Sequence, residues 1–134
     1  MSVPPDPPST DRLLLDTHVF LWWQDESDLL WSRVAHQIAT ATRVYVSIAT
    51  AWELAIKVGS GKLQLRESFA DAVEENRFDL LPITLDHIGV VAEMPLHHRD
   101  PFDRMLIAQA IHERLTMVTH DRTFAAYTVP VLWA

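Results

Sequence analysis

Cysteine is absent from this 134-residue chain. Its absence excludes disulfides, zinc sites built on thiolates and thiol nucleophiles. It also fits a reducing compartment, so a cytoplasmic protein is expected. Lysine is almost missing, with only Lys57 and Lys62 present. A receiver-type phospho-acceptor site has a lysine at a late strand end, and neither residue supplies one. No apolar run is long enough to span a membrane, and no signal-peptide pattern precedes the first one, so a soluble protein is expected. Positive charge is scarce as well: 11 Lys and Arg stand against 18 Asp and Glu, for a net charge of −7. The basic footprint common in nucleic-acid binders is therefore lacking. That objection weakens if several acids hold cations, because two divalent ions would return roughly four positive charges locally.

Apolar residues make up 49% of the chain, enough for one domain that buries roughly two thirds of its unfolded surface. Met1 to Thr10, with four prolines, reads as a disordered tail, and the domain is expected from residue 11 to residue 134. Arg12 to Leu15 reads as a buried strand, followed by a helical stretch from Thr17 to Trp31 with a turn at Gln24 to Asp28, and a second helix over Ser32 to Ala41. Val44 to Val46 is a short strand. Ser47 caps a helix over Ile48 to Val58, which Gly59-Ser60-Gly61 ends. A helix over Phe69 to Asn76 precedes a peripheral strand, Leu80 to Ile83, broken by Pro82. Asp86 to Glu93 is helical, Met94 to Arg99 is a loop, and Asp100-Pro101 opens a helix to about Arg114. Leu115 to Thr119 forms a strand, Arg122 to Tyr127 a short helix and Val129 to Leu132 a last strand. Strands alternating with helices imply an α/β domain whose central parallel sheet is flanked by helices.

Four acids stand where such elements meet loops. Asp16 ends the run Leu13-Leu14-Leu15, Asp121 follows Met117-Val118-Thr119 by two residues, and Glu53 and Asp103 lie near the starts of two helices. Parallel strands would gather them at the carboxyl edge of one sheet, where open α/β folds place their sites. Each ionised pair at ~4 Å would cost about 4 kcal/mol at an effective dielectric of about 20. A hard divalent cation with oxygen ligands would offset this. Each acid also has a plain structural account. Asp16 and Asp121 suit helix caps, Glu53 pairs with Lys57 at i+4, and Asp100, Pro101 and Asp103 compose an ordinary helix start. It is the joint pattern that points to metal-dependent phosphoryl chemistry.

Leu13 to His18, Ser47 to Leu54, His97 to Ala110 (HHRDPFDRMLIAQA) and Val118 to Asp121 together resemble PIN-domain ribonucleases, and among them the VapC toxins of bacterial toxin–antitoxin pairs. The resemblance runs from about Leu13 to the C-terminus, and its third segment is very specific. It implies a small PIN-like α/β fold and an acidic pocket binding Mg²⁺ or Mn²⁺. It further implies an RNA substrate, a homodimer and a cognate antitoxin whose C-terminal segment often inserts an arginine into the pocket. Matched position by position, the metal-holding and catalytic acids are Asp16, Glu53, Asp103 and Asp121, with Thr119 as a supporting hydroxyl. Asp100 belongs to the same motif and is kept as a helix cap or as a residue supporting the ligands, with a ligand role left open. The proline-rich start departs from the family pattern.

Among other residues, His97 and His98 are adjacent, so they share no strand or helix face, and no His-x₃-His pair accompanies them. A zinc site is not expected. Arg99, Arg104, Arg122 and Lys57 flank the acids as candidate phosphate contacts. Trp22 and Trp23, adjacent in a helix, must point apart, so one is a candidate for a partner groove. Two further readings stand beside the ribonuclease: another carboxylate–metal phosphoesterase acting on DNA or small phosphate esters, and an idle module that only binds antitoxin and DNA.

Overall fold

The computed structural model describes residues 8–134, so most of the expected tail (residues 1–7) lies outside the described residues. From residue 8 to residue 10 the chain has no regular structure, and the Asp11 N–H donates to Ser9 Oγ at 3.3 Å. Five strands follow: β1 (Arg12–Leu15), β2 (Arg43–Ser47), β3 (Asp79–Leu81), β4 (Thr116–Thr119) and β5 (Val131–Trp133). They form one sheet in the order β3-β2-β1-β4-β5 with every pairing parallel. The helices are α1 (Thr17–Gln24), α2 (Ser32–Thr40), α3 (Ile48–Gly59), α4 (Phe69–Glu75), α5 (Leu85–Glu93) and α6 (Pro101–Glu113), with a short 3₁₀ turn over Arg122–Ala126.

The three leucines of β1 explain the layering. They are fully buried because helices cover both faces of the sheet, and successive side chains point to opposite sides. Leu13 and Leu15 pack with Val44, Val46 and Val118 under Phe20, Val34 and Ile38 of α1 and α2. Leu14 packs with Met117 under Leu106, Ile107 and Ala110 of α6. Leu14 pairs in register with Tyr45 and Met117, which makes β1 the middle of the sheet. A parallel sheet in this order turns the ends of β1, β2 and β4 toward a single edge.

The boundaries depart from expectation in a few places. α1 stops at Gln24, and the backbone leaves helical space at Glu26 with φ +49°, so Trp31 becomes the start of α2 rather than the end of α1. β3 ends before Pro82, which has no N–H to extend a ladder, and it is an edge strand as expected. The last strand is shifted to Val131–Trp133: Pro130 has no N–H to give a ladder, although its carbonyl accepts from Met117 N–H. α6 closes on Arg114 in the left-handed region (φ +57°) without a glycine. Among the described residues no helix is long and apolar enough to cross a membrane.

Candidate active site

Asp16 follows β1 and is only 3% exposed. One carboxylate oxygen caps α1 by accepting Val19 N–H at 2.8 Å, and the other accepts the Thr119 hydroxyl at 2.6 Å. The cap and the site reading are thus both realised in one side chain. Burial pushes its pKa up, against the pull of the Thr119 and Val19 hydrogen bonds. Glu53 sits in the second turn of α3. Its Oε1 accepts the Thr17 hydroxyl at 2.7 Å and its Oε2 pairs with Lys57 at 3.3 Å. Lys57 is therefore engaged with an acid. Ser47 caps α3 through Ala49 N–H and donates its hydroxyl to Gln109 Oε1 at 2.5 Å. That bond ties the start of α3 to α6.

Asp100 caps α6, accepting the N–H groups of both Phe102 and Asp103 on one oxygen. Pro101 occupies the first helical turn, where a missing N–H costs nothing. Asp103 then projects past the helix start toward the other acids. Burial is the largest influence on it, and the negative charges of Asp100, Asp16 and Glu53 add to it, raising its pKa to about 7 against an opposing pull from His98. Such a perturbation, with a geometric cause, marks a site where like charges have been forced together. Asp121 is more open. Burial opposes its charge, but the hydroxyl and N–H of Thr123, both bonded to Oδ1, and His98 beside Oδ2 hold it below the usual carboxylate range.

The acids that follow β1 and β4 and those of α3 and α6 thus lie near one edge of the sheet, with Thr119 bonded to Asp16. Tight convergence of ligand atoms is narrower: His98, Asp103 and Asp121 have atoms within 4.8 Å of one another, while Asp16 and Glu53 act on Asp103 through their charge. His98, passed over as a zinc ligand in the sequence, lies beside two of these acids. Its Nε2 lies 2.8 Å from Asp103 Oδ2 and 3.2 Å from Asp121 Oδ2. A search for paired histidines passes over it. The available signal was its place five residues before Asp103, in a loop that the proline helix start turns back on the site.

Arg104 proves to have a different job from phosphate contact. Its guanidinium donates to the carbonyls of Pro95, Val91, Met94 and His98 and to the Tyr127 hydroxyl. Tyr127 Oη also accepts the N–H groups of His97 and His98 at 3.0 and 2.8 Å. Arg104 and Tyr127 together clamp the loop from residue 94 to residue 100. Arg122 lies over the Trp133 ring at 4.3 Å, and Arg99 is exposed, lining a mostly apolar cleft with Trp52 and Phe102. Trp22 and Trp23 are both half-buried and line a cleft of about 450 Å³, whereas the exposed tryptophans are Trp31 and Trp52.

Residues 13–129 match the PIN domain family. The chain is 26% identical over 121 residues to Ribonuclease VapC22 of Mycobacterium tuberculosis (strain ATCC 25618 / H37Rv), covering 88% of this chain and 93% of that protein. The fold is shared with VapBC2 from Rickettsia felis bound to a promoter DNA fragment, at TM-score 0.68 and 14% identity, covering 90% of this chain and 97% of the other. It is likewise shared with DNA-bound VapBC from Salmonella typhimurium, at TM-score 0.66 and 17% identity, covering 91% and 97%. With a match across nearly its whole length and an acidic pocket at the strand ends of a parallel sheet, this chain belongs to the PIN domain family.

Proposed function

We propose that this protein is a divalent-metal-dependent endoribonuclease, the toxin of a toxin–antitoxin pair, working in the cytoplasm through a domain spanning residues 11 to 134. The observation that carries the proposal is the convergence of Asp103 and Asp121 on one point, with ligand atoms of both and of His98 within 4.8 Å of one another, beside the buried Asp16 that Thr119 braces. A pocket that gathers acids in this way suits a hard cation with oxygen donors, and Asp16, Glu53, Asp103 and Asp121 are the residues that would hold it. A bound Mg²⁺ or Mn²⁺ supplies the Lewis acidity for attack of water on phosphorus and for departure of the leaving oxygen. The kinship with Ribonuclease VapC22 supports RNA as the substrate.

The protein's own part is positioning. Thr119 and Val19 N–H fix the two oxygens of Asp16, Thr17 and Lys57 fix those of Glu53, and Thr123 fixes one oxygen of Asp121. Ligands held this way lose little freedom when a cation arrives. Exposed Arg99 stands where it can meet a phosphate of the RNA backbone. The VapBC complexes with the same fold support a cognate antitoxin as partner, and exposed Trp52, edge-on to Phe102 at 5.0 Å, supports pairing with a second copy.

The test is cleavage of a panel of tRNA, rRNA fragments, single-stranded DNA and duplex DNA with Mg²⁺, Mn²⁺ or EDTA, for the wild type beside Asp16→Asn. Expected is RNA-selective, EDTA-sensitive cutting that the substitution abolishes. Metal-dependent hydrolysis of DNA or small phosphate esters without RNA preference would favour another phosphoesterase. Antitoxin-free, metal-loaded protein that cuts nothing would leave the interaction module.

A further inference from the structure

We propose that His98 is itself a ligand of the cation in this pocket, adding one imidazole nitrogen to the carboxylate oxygens and tilting the site toward Mn²⁺ over Mg²⁺. The inference rests on the metal-nuclease reading above. His98 Nε2 sits 2.8 Å from Asp103 Oδ2 and 3.2 Å from Asp121 Oδ2, and the three atoms lie within 4.8 Å of one another. Neighbouring ligands around an octahedral ion with bonds of about 2.1 Å stand about 3 Å apart, and both distances from Nε2 fall near that value. The side chain is also well withdrawn from solvent, at 16% exposure.

The backbone beneath it is built to hold that position. Tyr127 Oη accepts the His98 N–H at 2.8 Å, Arg104 binds carbonyls along the same loop, and the imidazole lies edge-on to the buried Phe124 ring at 5.9 Å. Nε2 faces Asp103 Oδ2 within hydrogen-bond distance. A ligating Nε2 leaves the ring proton on Nδ1, and the contact given up there, Asp100 N–H to Nδ1 at 3.4 Å, is long. Imidazole donors favour first-row transition ions, whereas Mg²⁺ is served by oxygen.

The test uses the full chain free of antitoxin, loaded with Mn²⁺, and reads ¹⁴N modulation in pulsed electron paramagnetic resonance, with affinities measured by titration. Wild type and His97→Gln are expected to show the nitrogen coupling and His98→Gln to lack it. His98→Gln should bind Mn²⁺ at least about tenfold more weakly. Mg²⁺, measured by competition, should lose less, so that the preference narrows. Circular dichroism checks that each variant is folded. Coupling that persists in His98→Gln, or wild-type protein that binds Mn²⁺ without it, overturns the assignment while leaving the carboxylate site standing. Tighter binding by His98→Gln also overturns it, because the ring would then only occupy the cation's place. Wild type that binds neither ion removes the metal-nuclease reading together with this one.

Discussion

Replacing Asp103 by Asn should stabilise the metal-free protein while destroying its activity. In the unfolded chain Asp103 ionises near 3.8, and in the folded protein near 7. Between those values the native state holds more protons, so wild-type stability falls as pH rises from about 4 to about 7 and is level above that. The full penalty would be at most about 4 kcal/mol. The side chain is 21% exposed and faces His98, and solvent screening reduces the expected gain to about 1–2 kcal/mol. Asn keeps the shape and an oxygen that can still accept from His98. For a domain of this size the melting temperature should rise by about 3–10 °C at pH 8. At pH 5 the wild-type carboxyl is protonated in the native state, and most of the difference should vanish. The assay is thermal unfolding in EDTA at both pH values. A variant no more stable than wild type at pH 8, or one shifted equally at both, would refute the electrostatic account of this pocket.

Metal binding competes with the proton on Asp103, so Mn²⁺ titrations should show affinity weakening as pH falls below about 7, and an affinity independent of pH from 5 to 8 would contradict this. Thr119→Val removes the hydroxyl that Asp16 Oδ2 accepts at 2.6 Å. It should cost about 1–2 kcal/mol in denaturant unfolding and weaken metal binding. Tyr127→Phe leaves the N–H groups of His97 and His98 without their acceptor. Hydrogen exchange should speed up at those two amides, at a cost of about 1–3 kcal/mol. Phe124→Ala empties a fully buried position beneath His98, and equilibrium unfolding should report a loss of about 3–5 kcal/mol.

Much of this was readable along the chain because local chemistry agreed with the fold. Leu13-Leu14-Leu15 has no polar face, which only a strand covered on both sides can accept. Ser47 and Asp100 are caps in both the sequence and the structure, and Pro101 falls where a helix tolerates it. What escaped reading depended on distant partners. Arg104 looks like any surface arginine until the end of α5 and the loop after it supply carbonyls around it. His98 reaches Asp121, 23 positions downstream, only because Tyr127 and Arg104 hold its backbone. Trp31 follows Leu29 and Leu30 in the sequence but lies 64% exposed as the residue that precedes α2, while Leu30 beside it is buried.

The sheet order also has a meaning in time. β4 lies between β1 and β5, and Thr119 reaches back across 103 residues to brace Asp16. A ribosome releases this chain from the N-terminus, so Asp16, Glu53 and Asp103 all emerge before the strand that completes their pocket. A nascent chain that ends short of Thr116 carries three of the four acids but lacks the strand beside β1 that brings them to one edge, and is expected to be inert. On the ribonuclease reading proposed above, cutting is expected only once β4 has been made and Thr119 can brace Asp16.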